Sequence, residues 1–296
     1  GYINLFYSRT INDPSIAAKY TGKIGQTSYG IISARDESSP VLLPFEENST
    51  VVTMGKSTSN IIRAKRMVGG NGGSIGAILT NRIFDNAGDM TTAGLDFHLH
   101  PGSNIHITLH GTASIHNESD NFEYIYDPSS YDYPSTFDNG KHTKTFDGEK
   151  ITGNALGFAI NYRDRTDDYG VVLRLRSPGF RTSNGFEKNN STKWLKAGRG
   201  KTVYYENHPK LLKTNYNIET IYKTNYTGVI KKQELSLSTS SDLKNGDFFK
   251  LSGEVEKENF REIQFNNLYE FEFGYRNQIN SSLKVYNELQ SRKIIV

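Results

Sequence analysis

The chain has 296 residues, no cysteine, and a formal net charge of +3 from 35 basic and 32 acidic side chains. The near balance of charge excludes a polybasic nucleic-acid binder, and the absence of cysteine excludes disulfide scaffolds, thiolate zinc sites and cysteine nucleophiles. Hydrophobic residues make up 35% of the chain, below the usual value of about 45–50%, while an aromatic content of 12% argues against disorder.

The chain begins with Gly1-Tyr2-Ile3-Asn4, which lacks the basic start and the apolar stretch of a signal peptide. We therefore expect a mature fragment or the interior of a longer protein. No apolar run of about 18 residues follows, so the sequence predicts no transmembrane helix. The remaining classes are a soluble all-β protein with a thin core and an outer-membrane barrel.

Alternation of apolar and polar residues with a period of two predicts β-strands throughout the chain. In chain order the strands pair as hairpins around short turns near residues 26, 71, 102, 167 and 245. The clearest strand runs from Ile105 to His116, where isoleucine, leucine and alanine alternate with histidine, threonine and serine. This pattern predicts roughly 12–14 strands and no amphipathic helix.

The intervening connections are often long, at 37–57, 117–149 and 178–193. Short periplasmic turns at one end and long extracellular loops at the other are typical of transmembrane β-barrels. We therefore predict an all-β fold, a single domain over residues 1–296 that forms an antiparallel up-and-down barrel, complete or incomplete, in contact with outer-membrane lipid. Aromatic residues near strand ends, among them Tyr20, Phe84, Tyr169 and Tyr204, fit interfacial girdles, as would scattered surface tyrosines.

In such a barrel the polar face lines a lumen that accommodates charged side chains and sets ion selectivity. The residues predicted on this face are Arg63, Lys65, Asp96, His98, His100, His106, His110, Arg174 and Arg176. The alternating glutamates Glu254, Glu256, Glu270 and Glu272 fit the same face. The solvated face of a soluble sheet would show the same alternation.

The histidines of the hairpin around Pro101 form a candidate metal site. If the connecting loop holds three residues, His98 lies opposite His106, within reach across the strand pair. Two neutral imidazoles in that position could bind zinc or another transition metal. The alternative, which we favour, is a polar face in which histidine alternates as readily as threonine.

The connection 117–149 combines carboxylates with aromatic residues. Its acids, among them Glu118, Asp120, Asp147 and Glu149, have an irregular spacing that differs from an EF-hand, so calcium is only a secondary expectation. Its tyrosines and phenylalanines suit stacking against a sugar. The interpretation we favour is a loop that folds over one end of the barrel with its tyrosines packed together.

The segment Gly72-Gly73-Ser74-Ile75-Gly76 matches the G-x-S-x-G pattern of a serine nucleophile. That chemistry needs a strand, a sharp turn and a helix, whereas here one predicted strand follows another. We therefore predict a hairpin turn. The sequence assigns no catalytic residue and no cofactor.

Several segments resemble one family. They include Phe6-Tyr7-Ser8-Arg9, Ser74–Arg82, Thr145-Phe146-Asp147-Gly148 and above all the 177–186 block with Phe180, Arg181, Thr182, Asn184, Gly185 and Phe186. Over residues of about 5–195 the chain resembles the barrel domain of unknown function 5916 of Gram-negative envelope proteins. The resemblance implies a bacterial outer-membrane barrel, often preceded by a family-9 carbohydrate-binding module, with no known catalytic residues. The terminal Lys293-Ile294-Ile295-Val296 departs from the aromatic residue that usually ends such barrels.

We therefore expect an outer-membrane protein that acts in envelope transport as a pore or binds glycan-derived material at the surface. One alternative is a carbohydrate-active or other hydrolytic enzyme with its site under connections 117–149 and 178–193. Two carboxylates, or a Ser-His-acid set, would converge there. A second alternative is a soluble β-sandwich binding module.

Overall fold

The computed structural model describes residues 3–86, 88–125, 135–261, 263–278 and 284–295, and it is almost entirely β-structure. A short 3₁₀ helix, Ser8–Thr10, precedes the first strand. The strands are β1 (Pro14–Ile24), β2 (Thr27–Asp36), β3 (Pro40–Pro44), β4 (Ser49–Thr53), β5 (Ser57–Val68), β6 (Gly73–Phe84), β7 (Gly88–Leu99), β8 (Ile105–Glu118), β9 (Asp120–Ile125), β10 (Thr136–Phe137), β11 (His142–Thr143), β12 (Thr145–Asp147), β13 (Lys150–Arg163), β14 (Asp167–Arg176), β15 (Thr192–Tyr204), β16 (Leu211–Asn225), β17 (Ile230–Leu243), β18 (Phe248–Phe260), β19 (Ile263–Gln278) and β20 (Lys284–Ile295).

One sheet contains 14 of these strands, in the order β1-β2-β5-β6-β7-β8-β13-β14-β15-β16-β17-β18-β19-β20. Each strand therefore lies beside its neighbour in sequence once the short strands inside the connections are set aside. The predicted antiparallel up-and-down arrangement is confirmed. In the described part of the chain, β1 pairs with β2 and β20 pairs with β19, and pairing of β1 with β20 is not observed.

The predicted short turns near residues 26, 71, 102, 167 and 245 each join two antiparallel strands. The long connections contain structure of their own. A β3–β4 hairpin occupies most of 37–57, and the short strands β9 to β12 lie within 117–149. Not every connection that alternates with the short turns along the chain is long, because β7 follows β6 and β17 follows β16 after only a few residues.

The chain divides into two compact units. Unit 1 comprises Gly1–Ser103, Ile107–Phe158 and Arg174–Lys193, and unit 2 comprises Asn104–His106, Ala159–Leu173 and Trp194–Val296. No helix in the described residues is long and apolar enough to cross a membrane.

Along strand β6 of unit 1, polar side chains are buried and apolar side chains are exposed. On β6, Ile75, Leu79 and Ile83 are 41%, 44% and 50% exposed, whereas Thr80 and Arg82 are 1% and 0% exposed. Successive side chains of a strand point to opposite faces, so the alternation in sequence becomes an apolar outer face and a polar covered face. This is the reverse of the usual burial in a water-soluble sheet.

The same alternation of exposed apolar and covered polar side chains occurs within unit 2. Leu237 on β17 and Phe271 on β19 are 53% and 46% exposed, while Glu256 on β18 is 6% exposed. Lys232 forms ion pairs with Glu234 at 2.8 Å and Glu256 at 3.1 Å. Lys232 is therefore shared by two of the glutamates on this polar face.

The apolar core of unit 1 is small and lies among the connections. Residues of the β3–β4 hairpin pack against side chains at the ends of β6 and β7 and against Phe146; the cluster is Val41, Leu43, Phe45, Met54, Phe84, Met90 and Phe146. The expectation that Phe84 belongs to an interfacial girdle is wrong, because the hairpin covers its ring. The pattern of a single strand could not reveal that a distant hairpin folds over this position.

Candidate functional site

The connection between β14 and β15, residues 177–191, lies against the polar face of unit 1 and is here called the 177–191 plug. Its backbone is held by side chains of that face: Arg181 N donates to Ser114 Oγ at 3.3 Å, and Thr92 Oγ1 donates to Arg181 O at 3.5 Å. Asn184 Nδ2 donates to Asn81 O at 3.2 Å. The predicted motif block is therefore an inward-folded element rather than an open surface loop.

Three glycines let the plug approach its neighbours closely. A Cβ on Gly179 would overlap the carbonyl oxygen of Thr152, and a Cβ on Gly153 would overlap the backbone of Phe180. A Cβ on Gly185 would overlap the carbonyl oxygen of Asn4. These contacts leave no room for a side chain, so the backbone path explains the glycine within the motif.

Arg181 is the buried anchor of the plug. Its Nη1 lies 3.2 Å from Glu118 Oε1 and 3.0 Å from His116 Nδ1, and its guanidinium lies 5.0 Å from the ring centre of Phe137. Burial lowers the pKa of Arg181 to about 10, against the opposing effect of Glu118. Arg181 therefore stays cationic at neutral pH, and His116 accepts its hydrogen bond through Nδ1.

A second buried arginine fixes the other side of the plug. Arg82 Nη2 donates to Asp36 Oδ2 at 3.0 Å and Arg82 Nε donates to Ser57 Oγ at 2.8 Å. Arg82 Nη1 donates to Ser183 O at 3.3 Å. One guanidinium thus connects two neighbouring strands of the sheet to the plug, and five donors in a fixed planar fork suit that task.

The segment before β1 continues this covering layer. Asn4 N donates to Glu187 Oε1 at 2.7 Å, Phe186 N donates to Asn4 O at 3.0 Å, and Tyr7 N donates to Asn184 O at 2.7 Å. Glu187 also pairs with Arg176 at 2.8 Å. Burial raises the pKa of Glu187, with the Arg176 charge and the Asn4 N–H acting in the opposite direction.

Beside the plug lies a cavity of about 450 Å³ between residues 3–6 and the polar face. The predicted residues in its lining are Arg63, Lys65, Asp96, His98 and His110. Arg63 holds Asp96 through two hydrogen bonds of 2.6 and 2.9 Å. The rings of His98 and His110 meet edge to face at 5.4 Å.

The prediction that His98 lies opposite His106 across the strand pair is wrong. The register places Thr108 opposite His98 and His110 opposite Asp96, because the connection from β7 to β8 is longer than three residues. His98 Nδ1 lies 3.5 Å from Thr108 Oγ1, and His98 Nε2 lies 3.6 Å from Asp96 Oδ1. Of the other predicted polar-face residues, His100, His106, Arg174 and Arg176 are not part of the cavity lining.

Among the described residues, the group whose ligand atoms lie close enough to share a metal ion is Glu234, Glu254 and Glu256. The sequence placed Glu254 and Glu256 on the polar face but did not reveal Glu234 beside them. The cross-strand register, with Glu234 opposite Glu256, brings them together. Lys232 already contributes a positive charge to this group through its two ion pairs.

Several of the acids described within connection 117–149 have protein partners. Glu149 lies 2.7 Å from His142 Nδ1, and Asp147 Oδ2 accepts a hydrogen bond from Thr143 at 2.7 Å. Residues 126–134 and the side chains of 121–125 lie outside the described part, and with them most of the aromatic residues proposed to stack on a sugar. Calcium and glycan contacts at this loop therefore stay predictions.

The cavity offers recognition groups rather than a reacting pair. Asp96 is the carboxylate in its described lining, and Arg63 holds both of its oxygens, whereas glycoside hydrolysis needs two carboxyl groups in defined separation. Ser74 of the G-x-S-x-G pattern lies in β6 after a turn, as predicted, and is buried. That backbone is a strand rather than a nucleophile elbow.

Sequence reasoning missed the buried charges Asp36, Arg82 and Glu187. The position of Arg82 could have been predicted, because it alternates with the exposed apolar residues of β6, whereas its partners are distant in sequence and could not.

No family model matches this chain, and no curated protein matches it.

Proposed function

We propose that this chain forms a transmembrane β-barrel domain of the bacterial outer membrane that acts in envelope transport or binds glycan-derived material at the surface. The observation that carries the proposal is the reversed burial of the sheet, with apolar side chains exposed and polar side chains covered. Exposed apolar faces of this extent mark a surface that meets another apolar phase. In a barrel that phase is lipid.

The paired charges of the polar face support the same proposal. Arg63 with Asp96 and Lys232 with Glu256 are the kind of side chains that line a polar lumen. A soluble β-sandwich would instead pack its apolar face against a second sheet. Residues such as Leu237 and Leu289 have no such cover, since they are 53% and 65% exposed.

Within this proposal, the 177–191 plug closes the polar face of unit 1, and the 450 Å³ cavity beside it is the candidate ligand site. A volume of this size falls within the range of about 300–1,000 Å³ that is usual for small-molecule sites. Cationic and amide groups suit the hydroxyl and carboxylate groups of glycan fragments. The resemblance to a family associated with carbohydrate-binding modules points in the same direction.

The experiment is fractionation of cells that produce the chain, followed by gel electrophoresis of heated and unheated samples. We expect the protein in the outer-membrane fraction, extraction only with detergent, and a shift in migration on heating. A water-soluble protein without a heat-dependent shift would overturn the membrane proposal. It would also direct attention to an enzyme or a soluble binding module.

A further inference from the structure

A groove of about 610 Å³ crosses the exposed apolar face of unit 2. Its apolar walls come from strands β16 to β19 and are Tyr216, Ile218, Leu237, Leu251 and Phe271. At one side the lining includes two cations, Arg199 and Lys201 of β15. The groove therefore combines an apolar trough with a cationic end.

The floor of the groove is a glycine. The register places Gly253 between Leu237 and Phe271, so all three share one face of the sheet. A Cβ added to Gly253 would meet nothing within 4 Å. The missing side chain opens a trough in a face that is otherwise covered by large apolar residues.

The two cations lie on the same face as the apolar walls. Thr202 donates to Asn215 Oδ1 at 2.8 Å, and a Cβ on Gly200 would lie 2.8 Å from Asn217 Oδ1, so these positions belong to the opposite, polar face. Arg199 and Lys201 alternate with them and therefore point outward.

The charge of this end is net positive. Lys201 Nζ lies 2.8 Å from Asp167 Oδ2, so its charge is shared. Arg199 lies over the ring of Tyr169, with its Cζ 5.2 Å from the ring centre, and no ion pair of Arg199 occurs among the described residues. One net positive charge remains at the end of an apolar trough, which complements a phosphodiester attached to an acyl chain.

We propose that this groove binds an anionic phospholipid, with one acyl chain over Gly253 and the phosphate at Arg199 and Lys201. The inference rests on the proposed membrane location and deepens it, because it selects one lipid class at one place. Arg199 and Lys201 lie within the last six residues of β15, and tyrosine and arginine are side chains expected at the level of lipid headgroups.

A depression on the outer face of unit 1 provides the internal comparison. It has a volume of about 470 Å³, and its lining of small and branched apolar residues includes Gly111 but no cation. A Cβ on Gly111 also meets nothing within 4 Å. If an apolar depression alone retained lipid, both places would do so equally.

The test is native mass spectrometry of the full chain in detergent with added phosphatidylglycerol, phosphatidylcholine or inorganic phosphate. Gly253→Ile places a branched side chain in the groove at a position where an added Cβ meets nothing within 4 Å, and Gly111→Ile, where the same holds, is its matched control. Arg199→Gln removes the cation that has no ion pair, and Arg66→Gln is the control, since Arg66 lies opposite the outward-facing Ile75. Every variant is first checked for heat-dependent migration.

We expect each parent chain to retain one phosphatidylglycerol and Gly253→Ile to retain none. Arg199→Gln should bind the lipid about tenfold more weakly, because one charge-assisted hydrogen bond is lost. Both controls should bind as the parent does. Four outcomes would overturn the inference. Gly253→Ile and Gly111→Ile could retain the lipid equally, or phosphatidylcholine could be retained as well as phosphatidylglycerol. Inorganic phosphate could compete with the lipid, or a dimer could close the groove. If heat-dependent migration persists, such a result leaves the proposed barrel intact, whereas its absence in the parent chain would end the proposed function itself.

Discussion

Arg82 and Asp36 form an ion pair in which both side chains are 0% exposed, with Nη2 and Oδ2 3.0 Å apart. The two residues belong to β6 and β2, which are separated in the sheet by β5. Ser57 of β5 accepts a further hydrogen bond from the same guanidinium. The pair therefore ties three strands together beneath the 177–191 plug.

Replacing Arg82 with leucine should lower the free energy of unfolding by about 3–5 kcal/mol, because Asp36 would be left as an unpaired buried charge. Urea unfolding in detergent measures the loss. Arg35→Gln is the matched control, since the Arg35–Asp85 pair is partly exposed and such pairs contribute up to about 1 kcal/mol. Equal losses in the two variants would contradict the role given to the buried pair.

Gly185→Ala should unseat the plug, because the new Cβ would overlap the Asn4 carbonyl oxygen. We expect a loss of about 1–3 kcal/mol, typical of overpacking, and faster protease cleavage within 177–191. Gly102→Ala serves as the control, since a Cβ there meets nothing within 4 Å. Unchanged cleavage of Gly185→Ala would show that the plug does not depend on this close approach.

Stability should depend on pH through Glu187, whose pKa is raised by burial. A carboxyl group with a folded-state pKa above its unfolded value binds its proton more tightly in the folded state. Its contribution is complete below the unfolded pKa and is lost as the pH rises through the folded pKa. As the pH rises from weakly acidic values, the parent chain should therefore lose stability relative to Glu187→Gln. Urea unfolding of both chains at a series of pH values measures this difference. A parent that gains stability over this range would show that the pairing with Arg176 outweighs burial.

The register of β7 and β8 can be tested by cross-linking, because the chain has no cysteine of its own. The pair His98→Cys with Thr108→Cys should form a disulfide under mild oxidation, since these residues lie opposite each other. The pair His98→Cys with His106→Cys should not. Mass spectrometry of peptides from the two variants distinguishes them, and the reverse result would restore the shorter hairpin loop.

Asp96→Asn should make the 450 Å³ cavity more cationic, because the two hydrogen bonds from Arg63 would no longer end on a carboxylate. In a planar bilayer we expect the reversal potential in a salt gradient to move towards anion preference. Asp89→Asn, near the first residue of the same strand β7, is the comparison. No difference between the two variants would separate the cavity from any conducting path.

The strands and their two faces follow from the sequence because alternation is a local property. The outward position of Leu79 can be predicted without knowledge of its neighbours in space, since Thr80 and Arg82 alternate with Leu79 and Ile83 in the chain itself. The short turns are equally local, being marked by glycine or asparagine near residues 26, 71, 102 and 245 and by aspartate near residue 167. These features were predicted correctly for that reason.

The remaining features depend on distant residues. The contact of Arg181 with Glu118 joins positions 63 residues apart, and the contact of Asn4 with Glu187 spans 183 residues. The motif block showed that residues 180–186 are distinctive but not that they fold inward. The predicted register of the β7–β8 hairpin is wrong for a related reason, since composition marks a turn without fixing the number of residues in it.

The difference between local pairing and distant contacts has a consequence for the order of folding. The sheet grows between neighbours along the chain, so most of its hairpins close a short loop at low entropic cost. The plug can settle only when the strands that supply Ser114, Asn81 and Arg82 are already side by side. We therefore expect the covering of the polar face to be the late step of assembly, with the strands formed before it.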